Sequence, residues 1–256
     1  MISTPSASTR KILPNQVTSY DLLKAAAIIL MVIDHLGAYF FPDIATFRII
    51  GRLSAPIWLF LIGFAKSREI SIEMIIGAFI LAGTHTLAEG SPLPLCILVT
   101  IMLVRATLDG LMRFMNGSSQ NLYIAVILLT VIGMFTVALF EYGTAAYLAA
   151  VIGYFCRRRK LLPRSRLIAI MLSCAAGYIF VQIFTFSFKS LTDGLIAGAG
   201  ILAVFWLLLD FKPQIFPAIQ GIGAEILMFC GRQTLLIYVA HLAAFQLIAE
   251  YVIPRL

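Results

Sequence analysis

Nine apolar runs close to the length of one bilayer crossing follow each other along the chain: 22–41, 48–66, 70–88, 93–112, 122–140, 143–156, 166–187, 193–210 and 231–252. A hydrocarbon core about 30 Å thick takes about 20 apolar residues per helical crossing. Lipid offers backbone polar groups no partner, so runs of this kind close their hydrogen bonds internally, as helices. They predict an all-α polytopic integral membrane protein, a bundle of about nine transmembrane helices around a central polar cavity. Composition agrees: 61% of residues are hydrophobic and 12% charged, against about 25% charged in a soluble domain. No room remains for a soluble domain. The sixth run is short and reads as a short span, a half-span or a re-entrant piece. It meets the fifth at FEYGT, a tight helical hairpin. The first run is too long for a signal peptide, contains Asp34 and His35, and lacks a small-residue cleavage site, so it is expected to be an uncleaved first span. Residues 1–19, rich in Ser and Thr, are expected to form a flexible cytoplasmic tail, leaving 20–256 as a single transmembrane domain.

The formal charge of +7 sits mostly in short loops. A nine-span path with the amino terminus inside places Arg10, Lys11, Lys24, Lys66, Arg68, Arg113, the run Arg157-Arg158-Arg159-Lys160, Arg164, Arg166 and Lys212 on the inner side. Only Arg48, Lys189 and Arg255 then lie outside, the asymmetry of the positive-inside rule. An eight-span path flips everything after the lost span and puts either the 157–166 run or the early basic loops outside. The basic excess therefore calls for no nucleic acid; the 157–166 run reads as a topology signal in contact with lipid headgroups. Cys96, Cys156, Cys174 and Cys230 lie in or at the ends of apolar runs without CxxC spacing, as small core residues do. No three His, Cys, Asp or Glu residues fall at a ligand spacing, so no metal is expected.

Against this background the ionisable residues inside the runs stand out. Asp34 and His35 are adjacent in LLKAAAIILMVIDHLGAYFF. Charge at membrane depth costs about 2.5–3.5 kcal/mol on insertion scales and usually faces a cavity or a partner. At 100° per residue Lys24, Ile28, Met31 and His35 share one face, with His35 about 16 Å beyond Lys24 and thus in the outer half. Asp34 points about 100° away, toward another neighbour. Arg52 enters the second span from outside, and pairing with Asp34 would lower the cost of both charges. His241 lands near mid-depth, and His85 and Glu89 share a face at the outer end of the third run. Arg105 and Asp109, one turn apart, lie in the inner half with Lys24 and Arg232. Arg favours bidentate phosphate contacts and Lys offers a mobile point charge. The inner half thus suits a phosphorylated carrier, and the outer half acid–base chemistry. Blander readings stand beside these: a histidine bonding across helices, Arg105–Asp109 as a structural ion pair, and Trp58, Phe40 and Phe41 as packing or interfacial aromatics.

The stretch Asp21–Phe64 resembles the TraX family of conjugative-plasmid proteins. The matching features are DLLK, the M-x-x-D-H triplet (Met31, Asp34, His35), FFP (Phe40, Phe41, Pro42), and R-x-x-G-R followed by P-x-W (Arg48, Gly51, Arg52, Pro56, Trp58). The closing segment GRQTLLIYVAHL is similar to the G-x-x-S-L-x-I-Y-x-x-H ending of the membrane acyltransferase 3 family, with Thr234 where that pattern has Ser. The resemblance implies a transmembrane acyltransferase in a bacterial inner membrane. Its donor is cytoplasmic acetyl-CoA, and its acceptor an extracytoplasmic group, foremost the amino terminus of conjugative pilin. By residue match the catalytic histidine is His35, with Arg48 and Arg52 assisting and His241 carried over from the terminal pattern. The implied catalytic set is His35, Asp34, Arg52 and His241. Arg48 joins Lys24, Arg105 and Arg232 as a carrier-binding set, the last three placed by depth rather than by the match. His35 then acts as general base toward an incoming amine or takes the acetyl group itself in a double displacement. Asp34 or another carboxylate would set its tautomer, and Arg52 would stabilise the carbonyl oxygen. The rival reading is a proton-coupled transporter or translocase that uses the same Asp, His and Arg cluster as a proton relay.

Overall fold

The computed structural model describes residues 15–252. Every regular element among them is helical: α1 (Ser19–Tyr39), α2 (Ala45–Gly51), α3 (Ser54–Phe64), α4 (Ile72–Glu89), α5 (Ile97–Met115), α6 (Ser119–Thr136), α7 (Ala145–Arg157), α8 (Arg164–Thr185), α9 (Leu191–Leu208), α10 (Ile222–Arg232) and α11 (Thr234–Tyr251), with a 3-10 turn at Arg159–Leu161. The sequence writes many of the starts. Ser71, Ser118 and Ser190 cap α4, α6 and α9 by accepting the N–H of Met74, Asn121 and Asp193, satisfying donors that a helix start leaves open. Thr18 and Asp21 form a reciprocal capping box at the start of α1.

Seven segments are long and apolar enough to cross a membrane: α1, α2 with α3 taken together, α4, α6, α8, α9 and α11. The remaining two expected crossings exist as helices of a different kind. Arg105, Asp109 and Arg113 all fall within α5. Helix α7 has 13 residues, about 20 Å at 1.5 Å per residue, short of a 30 Å core. Among the described residues the protein is a multi-pass helical membrane protein. Large apolar side chains such as Phe79, Phe135 and Leu207 point outward at 74–75% exposure, as lipid-facing residues do. The second run also breaks. Pro56 has no N–H for the Arg52 carbonyl, so α2 ends at Gly51 and α3 restarts at Ser54. Arg10, Lys11 and Arg255 lie outside the described residues. Residues 17–19, the last part of the segment read as a tail, are tied down: Phe216 N–H donates to the Val17 carbonyl at 2.8 Å and Ser19 N–H to Gln214 at 2.9 Å.

Helix α7 sits at the centre. From Ala145 to Cys156 every residue but the half-buried Tyr147 is buried, and the helix packs against α3, buried at every position but Trp58. Their backbones touch: a Cβ on Gly63 would fall 1.7 Å from the Ala150 carbonyl oxygen, and one on Gly153 2.0 Å from that of Phe60. Neither backbone can yield without parting the helices. Gly63→Ala is therefore expected to cost at least the roughly 1–3 kcal/mol of ordinary overpacking, read as a lower unfolding temperature in detergent; an unchanged temperature would show that the α3–α7 contact is looser than described.

Candidate functional site

Asp34 is where α1 and α2 meet. A Cβ on Gly51 would lie 2.4 Å from the Asp34 Cα, so only glycine lets α2 press onto α1 at this point. Arg48 on α2 and Arg52 just past its end, one turn apart, then reach the carboxylate from two sides. Arg52 Nε donates to Asp34 Oδ1 at 3.3 Å and its Nη2 donates to Oδ2. Arg48 Nη1 lies 3.1 Å from Oδ1 and donates to the Asp34 backbone carbonyl at 3.0 Å. The Phe186 ring, in the α8–α9 connection, lies 4.6 Å from the Arg48 guanidinium and 4.0 Å from that of Arg52. Cation–π contact of this kind offsets part of the desolvation of the pair. Arg52 also stands over Tyr142, the one non-glycine residue with positive φ (65°) among the described residues, a backbone state that costs about 1–3 kcal/mol and recurs at functional sites.

His35 bonds to a different helix from this ion cluster, as the helical offset predicts, while sharing a cavity with Arg48 and Arg52. Its Nδ1 lies 2.8 Å from Nε2 of His241, with the rings stacked. The other nitrogen of His241, Nδ1, lies 2.6 Å from the Ile237 carbonyl. A carbonyl only accepts, so with both rings neutral His241 Nδ1 carries the proton and donates it to that bond. His241 Nε2 then accepts, and His35 Nδ1–H is the donor to it. His35 Nε2 is left with its lone pair free, in the tautomer of a base or nucleophile. The residue that sets this tautomer is thus His241, not Asp34, whose carboxylate is engaged by two arginines.

One cavity is lined by His35 and a second reaches the neighbours of the histidine pair. The first, of about 130 Å³, is lined by His35, Arg48, Arg52, His85, Glu141 and Gln246, among others. Glu141, in the α6–α7 connection, accepts the Ile97 N–H at 2.9 Å, and burial pushes its carboxyl above the usual range while Arg52 opposes the shift. The other cavity, of about 250 Å³, starts among Tyr20, Lys24 and Arg105 at the end of the bundle where α1 begins, and reaches Met31 and Tyr238. Met31 is one turn before His35, and the Tyr238 ring lies 6.2 Å from the His35 ring and 6.0 Å from that of His241. His35 lines the smaller cavity and Tyr238, whose ring adjoins both histidines, lines the larger. Tyr238 Oη and Trp58 Nε1 are buried without a hydrogen-bond partner, and both residues line the larger cavity.

The sequence-derived set is thus brought together in part. Asp34, His35, Arg52 and His241 form one centre. Lys24 and Arg105 line the larger cavity. Arg48 belongs with Asp34 and the smaller cavity, away from Lys24. Arg232 does not line either cavity; its Nε donates to Asp21 Oδ1 at 3.2 Å and secures the α10–α11 junction to the start of α1. Arg105 and Asp109 do not pair: Asp109 meets Arg68 at 3.2 Å, and Arg105 donates to the Glu69 carbonyl. Residues before α4 outcompete an intrahelical pair in which the base precedes the acid, the weaker order against the helix dipole. Glu141, Phe186 and Tyr238 were not singled out from sequence. Tyr238 carried a signal, three residues before His241 and so on nearly the same helical face.

Fold and site define a multi-pass helical membrane protein with a paired-histidine centre, one ring of which lines a cavity. The chain belongs to the TraX family: the model of the TraX protein family matches residues 19–249. It is similar to an uncharacterized protein of Rickettsia prowazekii (strain Madrid E), 26% identical over 222 residues, covering 84% of this chain and 90% of that protein. No solved structure matches the chain.

Proposed function

We propose that the protein is a transmembrane acetyltransferase. It takes an acetyl group from acetyl-CoA on the cytoplasmic side of a bacterial inner membrane and passes it to an extracytoplasmic amine, foremost the amino terminus of conjugative pilin. The observation that carries this reading is the histidine pair: a ring nitrogen with a free lone pair, its tautomer fixed, on a residue that lines a cavity shared with Arg48 and Arg52. Membership of the TraX family supports the choice of acyl transfer. Lys24 and Arg105 at the mouth of the larger cavity support reading that end as the donor side, and the basic loops near it support reading it as cytoplasmic.

The acceptor amine attacks the thioester carbonyl carbon while His35 Nε2 takes the amine proton. The negative charge that builds on the carbonyl oxygen falls beside the Arg52 guanidinium. The intermediate then collapses, the C–S bond breaks, and the departing thiolate takes the proton back from His35. His241 holds the imidazolium by accepting from its Nδ1–H throughout. In the double-displacement variant, His35 Nε2 attacks the thioester carbonyl and the C–S bond breaks to release CoA thiolate; the amine then attacks the acetyl-imidazole, the N–acetyl bond breaks to return neutral His35, and the amine proton passes to the thiolate.

The test is release of free CoA thiol from acetyl-CoA by purified protein in detergent with a pilin amino-terminal peptide. Peptide-dependent release is expected. Intact, carrier-binding protein that turns over no thioester with any amine or hydroxyl acceptor would move the weight to a proton relay. The tautomer argument adds a sharper expectation. His241→Leu removes the acceptor for His35 Nδ1–H and should lower turnover by about 10²-fold or more, whereas His241→Gln retains a carbonyl acceptor and should recover part of the rate. Equal activity in both variants would show that His241 does not orient His35.

A further inference from the structure

A second groove, of about 570 Å³, opens at the donor end and shares Tyr20 and Ala65 with the cavity that leads to the histidines. Four cationic side chains line it: Lys66, Arg157, Arg159 and Lys160, with no Asp or Glu in the lining. None of the four has an ion-pair partner among the described residues. Arg157 and Arg159 are half-buried and anchored. Arg157 Nη1 donates to the Ala65 and Phe64 carbonyls at the end of α3. Arg159 Nη1 donates to the Leu209 and Phe211 carbonyls just after α9, at 3.2 Å each. Each guanidinium is held by one nitrogen and keeps other donors, a preorganised fork of the kind that suits phosphate. Lys66 and Lys160 are exposed at the rim. A run that serves only as a topology signal would not need two arginines pinned around a cleft.

We propose that this groove holds the phosphorylated head of the acyl donor, while its arm passes by Tyr20 and Ala65 into the cavity beneath the histidines. The naming of the donor as acetyl-CoA rests on the function proposed above; the anion site does not. The chemistry of the two compartments matches a single bipartite ligand. The groove offers four cationic side chains without ion-pair partners among the described residues to a multiply charged phosphate ester. The cavity offers Trp58 Nε1 and Tyr238 Oη, donors in want of acceptors such as the amide and thioester carbonyls of a pantetheine arm. An anionic lipid headgroup has the same phosphate-ester chemistry, but its tails would place nothing opposite those two donors.

The experiment uses the full chain in zwitterionic nanodiscs and measures binding of acetyl-CoA, adenosine bisphosphate (head without arm) and S-acetylpantetheine (arm without head). Adenosine bisphosphate is expected to compete with acetyl-CoA, and both to weaken as salt is raised, a readout that needs no variant. Lys66→Gln with Lys160→Gln, both at exposed and unpaired positions, should weaken acetyl-CoA and the bisphosphate about tenfold and leave S-acetylpantetheine unchanged. Acetyl-CoA binding that is strong, indifferent to salt and equal in the variant would overturn the groove while leaving the acetyltransferase reading in place. Bisphosphate bound at the groove by a protein that turns over no thioester would keep the groove and remove that reading. Absence of bisphosphate binding, or its displacement by phosphatidylglycerol whose retention the variant abolishes, would overturn the assignment to the donor, the latter in favour of a lipid site.

Discussion

Asp34→Ala is expected to destabilise the folded protein by about 3–5 kcal/mol, the loss typical of removing one member of a buried ion cluster. The Asp34 side chain is 5% exposed, and those of Arg48 and Arg52 are 24% and 13% exposed. Without the carboxylate two guanidinium groups, stacked on one Phe186 ring, are left facing each other without a counterion. Their mutual repulsion and unpaid desolvation add to the lost hydrogen bonds. Asp34→Asn keeps shape and one acceptor and should fall between. Replacing Asp34, Arg48 and Arg52 together by leucine should cost less than the sum of the single changes, because no lone charge is stranded. Thermal unfolding of detergent-purified protein measures all of these, and an unfolding temperature for Asp34→Ala equal to wild type would show that the cluster contributes no net stability.

The second large effect falls on activity. His35→Ala should lower acetyl transfer by about 10²–10⁴-fold, the range for loss of a positioned general base, and to background if His35 carries the acetyl group. Its expected effect on folding is small, since the ring borders a cavity and among the described residues hydrogen-bonds only to His241. His35→Gln separates size from basicity: it fills the space without a basic nitrogen and should be as inactive as the alanine variant. A variant that unfolds no earlier than wild type yet retains full transfer would remove His35 from the chemistry. Steady-state patterns then divide the two routes, with ping-pong kinetics following from an acetyl-histidine and a ternary-complex pattern from direct attack.

Depth and helical phase were enough to read part of this site before any coordinates. The 100° offset between Asp34 and His35 sends one toward Arg52 and the other elsewhere, and the structure shows both. What His35 meets was not legible, because its partner lies 206 residues away and no periodicity links α1 to α11. Charge read along one helix misled at Arg105 and Asp109, whose neighbours come from the α3–α4 connection. Glu141 and Phe186 lie in connections between helices, where the hydrophobic period carries no positional information. Helix α10 escaped notice because ILMF is a short run bounded by Glu225 and Arg232, without the length of a crossing. The run 48–66 reads as one crossing in sequence, and its interruption between α2 and α3 falls where Pro56 lacks an N–H. The length of α7 was legible, but not its place at the core, which rests on the Gly63 and Gly153 backbone contacts.

The central claim is transfer across the membrane at the histidine pair. It is tested most directly in sealed proteoliposomes of known orientation, with labelled acetyl-CoA on one side and a pilin amino-terminal peptide confined to the other. Labelled peptide is expected only when acetyl-CoA faces the Lys24 end, and not with His35→Ala. Label that appears only when donor and acceptor share one compartment, or label unaffected by His35→Ala, would contradict it.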